Sequence, residues 1–427
     1  MSVVLGAIAD DFTGATDLCN TLVRRGMKTV LLIDIPGGNT ATPDAEAVVI
    51  ALKSRTIPVD EAIGVSLKAL AWLQNAGARQ VLFKYCSTFD STDEGNIGPV
   101  AEALLDALGS DFTIYCPAFP TLGRSIFKGY LYVGDVLLSE SGMKDHPLTP
   151  MRDPSLVRVL QRQSKGKVGL VQQATVDKGP GALAAAFAKL KADGFRHAIV
   201  DAITDPDLEA IGEAAKDFAL ITGGSGIALG LPENFRRAGL IGDGGGADLL
   251  PKIAGKAAVL SGSCSEATRG QVAHMIGAGF ATFMINPLAA AAGQNVAEQA
   301  LAWASDKLRE EPILFAATAP PESVAEVRQK LGRERAGALV EGIIADIARG
   351  LVARGVRRLV VAGGETAGAV VQALGVTGLR IGRQIDPGVP WTVSLGEPPL
   401  ALALKSGNFG APDFFSRAFT ALEEATA

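Results

Sequence analysis

Histidine and cysteine are scarce in this chain, three and four among 427 residues, and their spacing excludes several chemistries. Cys19, Cys86, Cys116 and Cys264 never approach a C-x-x-C pair, and His146, His197 and His274 share no metal-ligand spacing. A zinc site and a dithiol redox centre are not expected, and no metal ligands can be named; the cysteines read as core thiols of a reducing cytosol. Positive charge is not in excess either. A formal net charge of −5 gives no general footprint for nucleic acid, which is not an expected partner. Neither G-x-x-x-x-G-K-[ST] nor a strand-to-helix G-x-G-x-x-G occurs, which excludes a standard P-loop and weakens any dehydrogenase reading. The opening MSVVLGAIADDF has no basic start and meets two aspartates after nine residues, too early for a signal peptide or spanning helix. A cytoplasmic protein with no membrane partner is expected. No tandem period is present, so solenoids and propellers are excluded.

What the chain does have is length and apolar substance. With 48% hydrophobic and 20% charged residues it can bury one or two substantial cores, and two domains are the better expectation. Short β-branched segments alternate with longer Ala- and Leu-rich ones, the pattern of an α/β fold with mostly parallel sheets. Strands are expected at 3–9, 29–34, 47–54, 80–87, 113–119 and 197–203, then at 257–265, 281–287, 312–318, 357–365 and 400–410. Gly, Pro and charge concentrate at 231–256, which suits a connection between domains. The resulting division is 1–235, a linker at 236–256, and 257–427. GDGGGA at 242–247 falls in that linker and reads as a flexible spacer.

Strand ends carry the polar chemistry. In LVVAGGETAGAVVQAL (359–374) an apolar run breaks at Gly363-Gly364 before a helix-like stretch. Glycines there would present free N–H groups and a positive dipole end to a phosphate, although an ordinary turn uses the same residues. Two more small-residue ends, Ser261-Gly262-Ser263 and Ser406-Gly407-Asn408-Phe409-Gly410, would together form a cradle on one sheet rim. The first half has its own clusters. Asp10-Asp11 precede a helix start, where one aspartate would cap and the other face a cleft. Lys53-Ser54-Arg55-Thr56 and the 84–92 stretch KYCSTFDST place cations and hydroxyls at two further ends, which suits an acidic substrate; a solvated loop is the alternative.

Nine motifs in order, IADDFTGA, LKSR, KYCSTFDST, GNIGPV, HPLTPM, LSGSCS, GGETAG, IDPGVPW and LALKSGNFG, run through essentially the whole chain. Together they resemble the four-carbon acid sugar kinase family, and most closely its 3-oxo-tetronate 4-kinases. The resemblance implies an N-terminal acid-sugar domain, a C-terminal ATP domain and an active site in the cleft between them. It also implies phosphorylation of the O4 hydroxyl of a four-carbon acid sugar, 3-oxo-tetronate giving 3-oxo-tetronate 4-phosphate. Contacts to ATP are implied for Ser261, Gly363, Gly364, Glu365, Thr366 and Gly407, with Mg²⁺ as the expected cation. The IADDF, LKSR and KYCSTFDST loops are implied to bind the sugar. Within them Arg55, Lys84 and Ser87 are the expected holders of carboxylate and hydroxyls, and Asp10 or Asp11, with Asp90 in reserve, the base that accepts the O4 proton. His146 in HPLTPM either hydrogen-bonds the substrate or packs between prolines. Three alternatives remain: the same reaction on D-threonate or D-erythronate, a sensor that binds acid sugar and nucleotide without turnover, and a dehydrogenase. Homo-oligomerisation is left open.

Overall fold

In a computed structural model of the chain, residues 3–37, 41–146, 148–309, 311–318 and 329–424 are described. They form two compact units, Met1–Ala247 and Asp248–Ala427. The first contains β1 (Leu5–Ala9), β2 (Thr29–Ile33), β3 (Ala47–Ala51), β4 (Gln80–Lys84), β5 (Thr113–Cys116), β6 (Arg124–Phe127), β7 (Tyr130–Val133), β8 (Val136–Leu137), β9 (Lys167–Val171), β10 (Phe195–Val200) and β11 (Leu220–Gly223). Its main sheet runs β2-β3-β1-β4-β11-β5-β10-β9, all parallel. Every residue of β1, β3 and β4 is buried, as expected of central parallel strands covered by helices on both faces. Fully buried aliphatic side chains such as Leu5, Ile8, Val48 and Leu82 each stabilise this sheet by about 1.5–3 kcal/mol relative to exposure.

The small antiparallel ribbon β6-β7-β8 was not among the expected strands. Lys128 (φ 53°) and Gly129 (φ 75°) connect β6 to β7 with consecutive left-handed residues, the backbone of a tight hairpin. The buried Asp201 carboxylate fastens the turn by accepting from Lys128 N at 2.7 Å and Gly129 N at 2.8 Å. GDGGGA is not a loose spacer. Gly244 packs so closely on Gly26 that a Cβ on Gly26 would lie 2.8 Å from the Gly244 Cα.

The second unit contains β12 (Lys256–Ser261), β13 (Thr282–Met284), β14 (Ile313–Ala316), β15 (Val356–Ala362), β16 (Gly378–Asp386), β17 (Val389–Ser394) and β18 (Ala401–Lys405). Its strands lie in the order β13-β14-β12-β15-β18-β17-β16; the first five are parallel and the last two antiparallel. After β12 the chain crosses to β13 at the edge and returns through β14, and after β15 it crosses the other way to β16 and returns through β17 and β18, so the direction of the connections reverses between β12 and β15. Such a reversal is where open α/β sheets take their ligands. IDPGVPW forms the β16–β17 turn, with Gly388 at φ 79°. Trp391 is wholly buried in the core with Val259, Val360 and Phe414, its Nε1 donating to Ala418 O at 2.6 Å. No helix among the described residues is long and apolar enough to cross a membrane.

Candidate functional site

In the first unit the IADDF, LKSR and KYCSTFDST loops leave β1, β3 and β4, which are adjacent. Pairing continues past the strands: Leu52 N donates to Ala9 O, Ser54 N to Asp10 O and Asp10 N to Lys84 O, at 2.8–3.0 Å. The three loops are thereby held to one another through the backbone. Asp11 caps the helix Phe12–Arg24 by accepting from Gly14 N at 3.1 Å. Asp10 is buried at the end of β1.

Arg55 sits among three carboxylates. Its Nε and Nη2 each donate to Asp10 at 2.8 Å, Nη2 donates to Asp11 Oδ1 at 2.7 Å, and Nη1 reaches Asp90 Oδ2 at 3.4 Å. Burial pushes the Asp10 carboxyl above its ordinary range, and the Arg55 hydrogen bonds oppose that rise. Arg55 is held firmly protonated by Asp10 and Asp11 against its own desolvation. Asp90 has both oxygens occupied, since Thr88 Oγ1 donates to Oδ1 at 2.6 Å. Both Asp10 oxygens are likewise bonded to Arg55. Asp11 differs: it is only partly buried, and its Oδ2 accepts no hydrogen bond among the described residues.

The loop that delivers Asp90 is strained. Phe89 (φ 66°) and Asp90 (φ 41°) are consecutive left-handed residues, which costs on the order of 1–3 kcal/mol for each. Phe89 is held there by burial, its ring edge-on to Tyr85 at 5.5 Å. Lys84 is buried with Nζ donating to Tyr85 O at 2.7 Å, and Ser87, partly buried, makes no hydrogen bond through its side chain among the described residues. A Cβ on Gly14 would approach Lys84 Nζ to 2.8 Å, so glycine there admits the ammonium beside the helix start.

Several supporting residues escaped the sequence reading. Asn96, inside GNIGPV, donates from Nδ2 to Ser54 O and Ile57 O at 2.9 Å and to Arg55 O at 3.3 Å, fixing the LKSR loop from forty residues away. Asp17, one turn into the first helix, has its carboxyl raised by burial and faces Lys84 and Ser225. His146 does not join the carboxylate cluster. Its Nδ1 accepts from Thr149 N at 3.2 Å, which braces its own loop, while Pro147 lies outside the described residues. That loop meets KYCSTFDST elsewhere, through Ser91 N and Met151 Sδ at 3.3 Å.

In the second unit the three small-residue ends leave β12, β15 and β18, again adjacent, so Ser261, Gly363 and Gly407 share one rim at the order reversal. Gly262 N and Ser263 N both donate to Ala362 O, and Gly363 N donates to Lys405 O. The helix Gly364–Ala373 starts at Gly363 (φ 125°) with no side-chain cap. Its first-turn N–H groups are therefore open to an anion. The rim tolerates no side chains where the loops meet: a Cβ on Gly262 would lie 2.2 Å from Thr366 Oγ1, and one on Gly407 2.3 Å from Ser263 Oγ. Thr366 is buried within this contact, whereas Gly364 and Glu365 are exposed on the rim. Ser261 is wholly buried; its hydroxyl pairs with Thr318 Oγ1 at 2.8 Å, and Thr318 in turn donates to Ser263 O at 2.9 Å. These features fit a nucleotide triphosphate, whose oxygens need backbone donors at close approach.

Residues 5–231 match the family model described as a sugar-binding N-terminal domain, and 258–415 that of a nucleotide-binding C-terminal domain. A protein named 3-oxo-tetronate kinase from Cupriavidus necator is 62% identical over 98% of this chain and 97% of its own length. One of the same name from Burkholderia multivorans is 60% identical over 99% and 98%. The chain belongs to the four-carbon acid sugar kinase family. A solved Haemophilus influenzae structure shares its fold along the same length, with 46% identity, 98% of this chain and 100% of that one covered, and a TM-score of 0.89. The first rim lies within the part that matches the sugar-binding model, and the second within the part that matches the nucleotide-binding model.

Proposed function

We propose that the protein transfers the γ-phosphoryl group of Mg-ATP to O4 of 3-oxo-tetronate, giving 3-oxo-tetronate 4-phosphate and ADP. The substrate follows the relatives of that name that match nearly end to end. The observation that carries the chemistry is the open oxygen of Asp11, the one member of the carboxylate trio that is free to accept a proton. Asp11 takes the O4 proton as the phosphorus is attacked. Asp10 and Asp90 hold Arg55, and Arg55 fixes Asp11 in place, so the guanidinium serves chiefly as organiser. Lys84 and Ser87, with N–H and O–H groups to spare, hold the substrate carboxylate and hydroxyls.

Gly363, Gly364, Glu365 and Thr366 receive the phosphates at the uncapped helix start, with Gly407 opposite and Ser261 beneath. No group of three or more His, Cys, Asp or Glu among the described residues is arranged to hold a metal. Mg²⁺ bound with ATP would neutralise charge on the phosphates, as in other phosphoryl transfers. The protein works in the cytoplasm, where its free thiols stay reduced. The testing experiment is a substrate panel with Mg-ATP. Faster turnover of D-threonate or D-erythronate than of 3-oxo-tetronate would overturn the substrate, and ligand binding without any turnover would leave a sensor.

A further inference from the structure

The last residue of β18 is a lysine in the position of a core side chain. Lys405 is 1% exposed, and its Nζ donates to Ser406 O at 3.0 Å, Thr268 Oγ1 at 3.1 Å and Gly407 O at 3.3 Å. Gly407 O also accepts from Thr268 Oγ1 at 2.7 Å and Ser265 Oγ at 2.5 Å, so the ammonium stands beneath the junction of two rim loops. All three of its acceptors are neutral. The charged groups on elements packed around it are Glu266 and Arg269 on the helix after Ser265, Glu365 on the helix after Gly364, and Asp413 and Arg417 at the start of the last helix. None of them pairs with Lys405. Arg417 is committed to Asp386 and Asp413, and Arg269 donates to Cys264 O. The ring of Phe415, 5.9 Å away, is the remaining neighbour of note.

A buried cation without a counter-ion is costly, and proteins retain one where a ligand supplies the missing charge. We infer that Lys405 is a positioning residue whose counter-ion is the nucleotide phosphate, so that ADP or ATP binding draws a proton from solvent onto its amine. This rests on the nucleotide reading of the second unit given above. Burial alone depresses the free amine to about 8, so near neutrality and above it a measurable fraction of the unliganded protein carries a neutral amine. The sign follows from linkage. An anion raises the amine's affinity for its proton, so nucleotide affinity is greatest below pH 8 and falls as pH rises through it. The phosphate's own last ionisation, near pH 6, lies below this window.

The test is calorimetry of ADP binding to the full-length protein in two buffers of different ionisation enthalpy. About half a proton should be taken up per nucleotide at pH 8, and Kd should weaken about tenfold between pH 7 and pH 9. In Lys405→Arg the charge persists without titrating in this range, so affinity should hold while uptake and pH slope vanish. Lys405→Met should bind weakly at every pH; if it fails to fold, the wild type and the arginine variant still decide. Nucleotide binding in the wild type with no proton uptake at pH 8 and a flat Kd would overturn the role of Lys405 alone. Absence of nucleotide binding altogether would overturn the nucleotide reading and this inference with it.

Discussion

Replacing Arg55 by Met keeps the aliphatic stem and removes the charge that three carboxylates share. Four hydrogen bonds are lost, two to Asp10, one to Asp11 and one longer one to Asp90. The Asp10 side chain is 6% exposed and that of Arg55 21%, so solvent screens the loss only partly. Breaking a buried pair from one side costs about 3–5 kcal/mol, and the partial exposure of Arg55 places the expected loss near the low end, about 3 kcal/mol at pH 8. The pH dependence separates this from a packing defect. Burial raises Asp10 and Arg55 holds the rise in check; without Arg55 the carboxyl rises further. A carboxyl with a raised folded-state pKa contributes stability at low pH that is lost as pH climbs through that value. The variant's deficit should therefore shrink as pH falls towards 5, because protonated Asp10 tolerates burial without a cation. Urea unfolding of wild type and variant at pH 5 and pH 8 measures both deficits. A loss equally large at both, or below about 1 kcal/mol at pH 8, would refute the reasoning that Asp10 depends on Arg55 for its charge.

Asp11→Asn should lower kcat by about 10²- to 10⁴-fold with little change in KM for ATP. Asparagine caps a helix as well as aspartate but weakens the pair with Arg55, so stability should fall by up to about 1 kcal/mol, and unchanged turnover would remove Asp11 as the base. Gly407→Ala places a Cβ against Ser263 Oγ and Ser265 Oγ and should raise KM for ATP about tenfold, near 1.4 kcal/mol, leaving KM for the sugar acid unmoved. Asn96→Ala frees the LKSR loop from three carbonyl contacts and should show the opposite pattern in steady-state kinetics, a raised KM for the sugar acid with ATP unaffected.

Much of the candidate site was legible because parallel α/β sheets collect polar chemistry at strand ends, and strand ends show in sequence as an apolar run stopping at small or charged residues. Asp10, Arg55 and Lys84 were visible in that way, as were Ser261, Gly363 and Gly407. Strand order was not. Nothing local in LKSR says that β3 lies beside β1, and it is this adjacency that puts Arg55 among three aspartates. For the same reason Arg55 looked like a receptor for a substrate carboxylate, whereas the protein's own carboxylates engage it. Asn96 acts on a loop forty residues away, beyond the reach of any periodicity. Lys405 read only as the end of LALALK, because burial of a charge at a strand terminus depends on what folds over it. The β6–β7 hairpin did leave a signal, Lys128-Gly129 between two short β-prone runs, RSIF and YLYV. Its turn chemistry favours antiparallel pairing over the parallel pattern that dominates the chain.

The central claim is most directly tested by incubating purified protein with Mg-ATP and 3-oxo-tetronate, following ADP release and locating the phosphate in the product by mass and phosphorus NMR. One ADP for each molecule phosphorylated at O4, faster than with D-threonate, L-threonate or D-erythronate, is the result expected. Silence across that panel with nucleotide binding intact would contradict it.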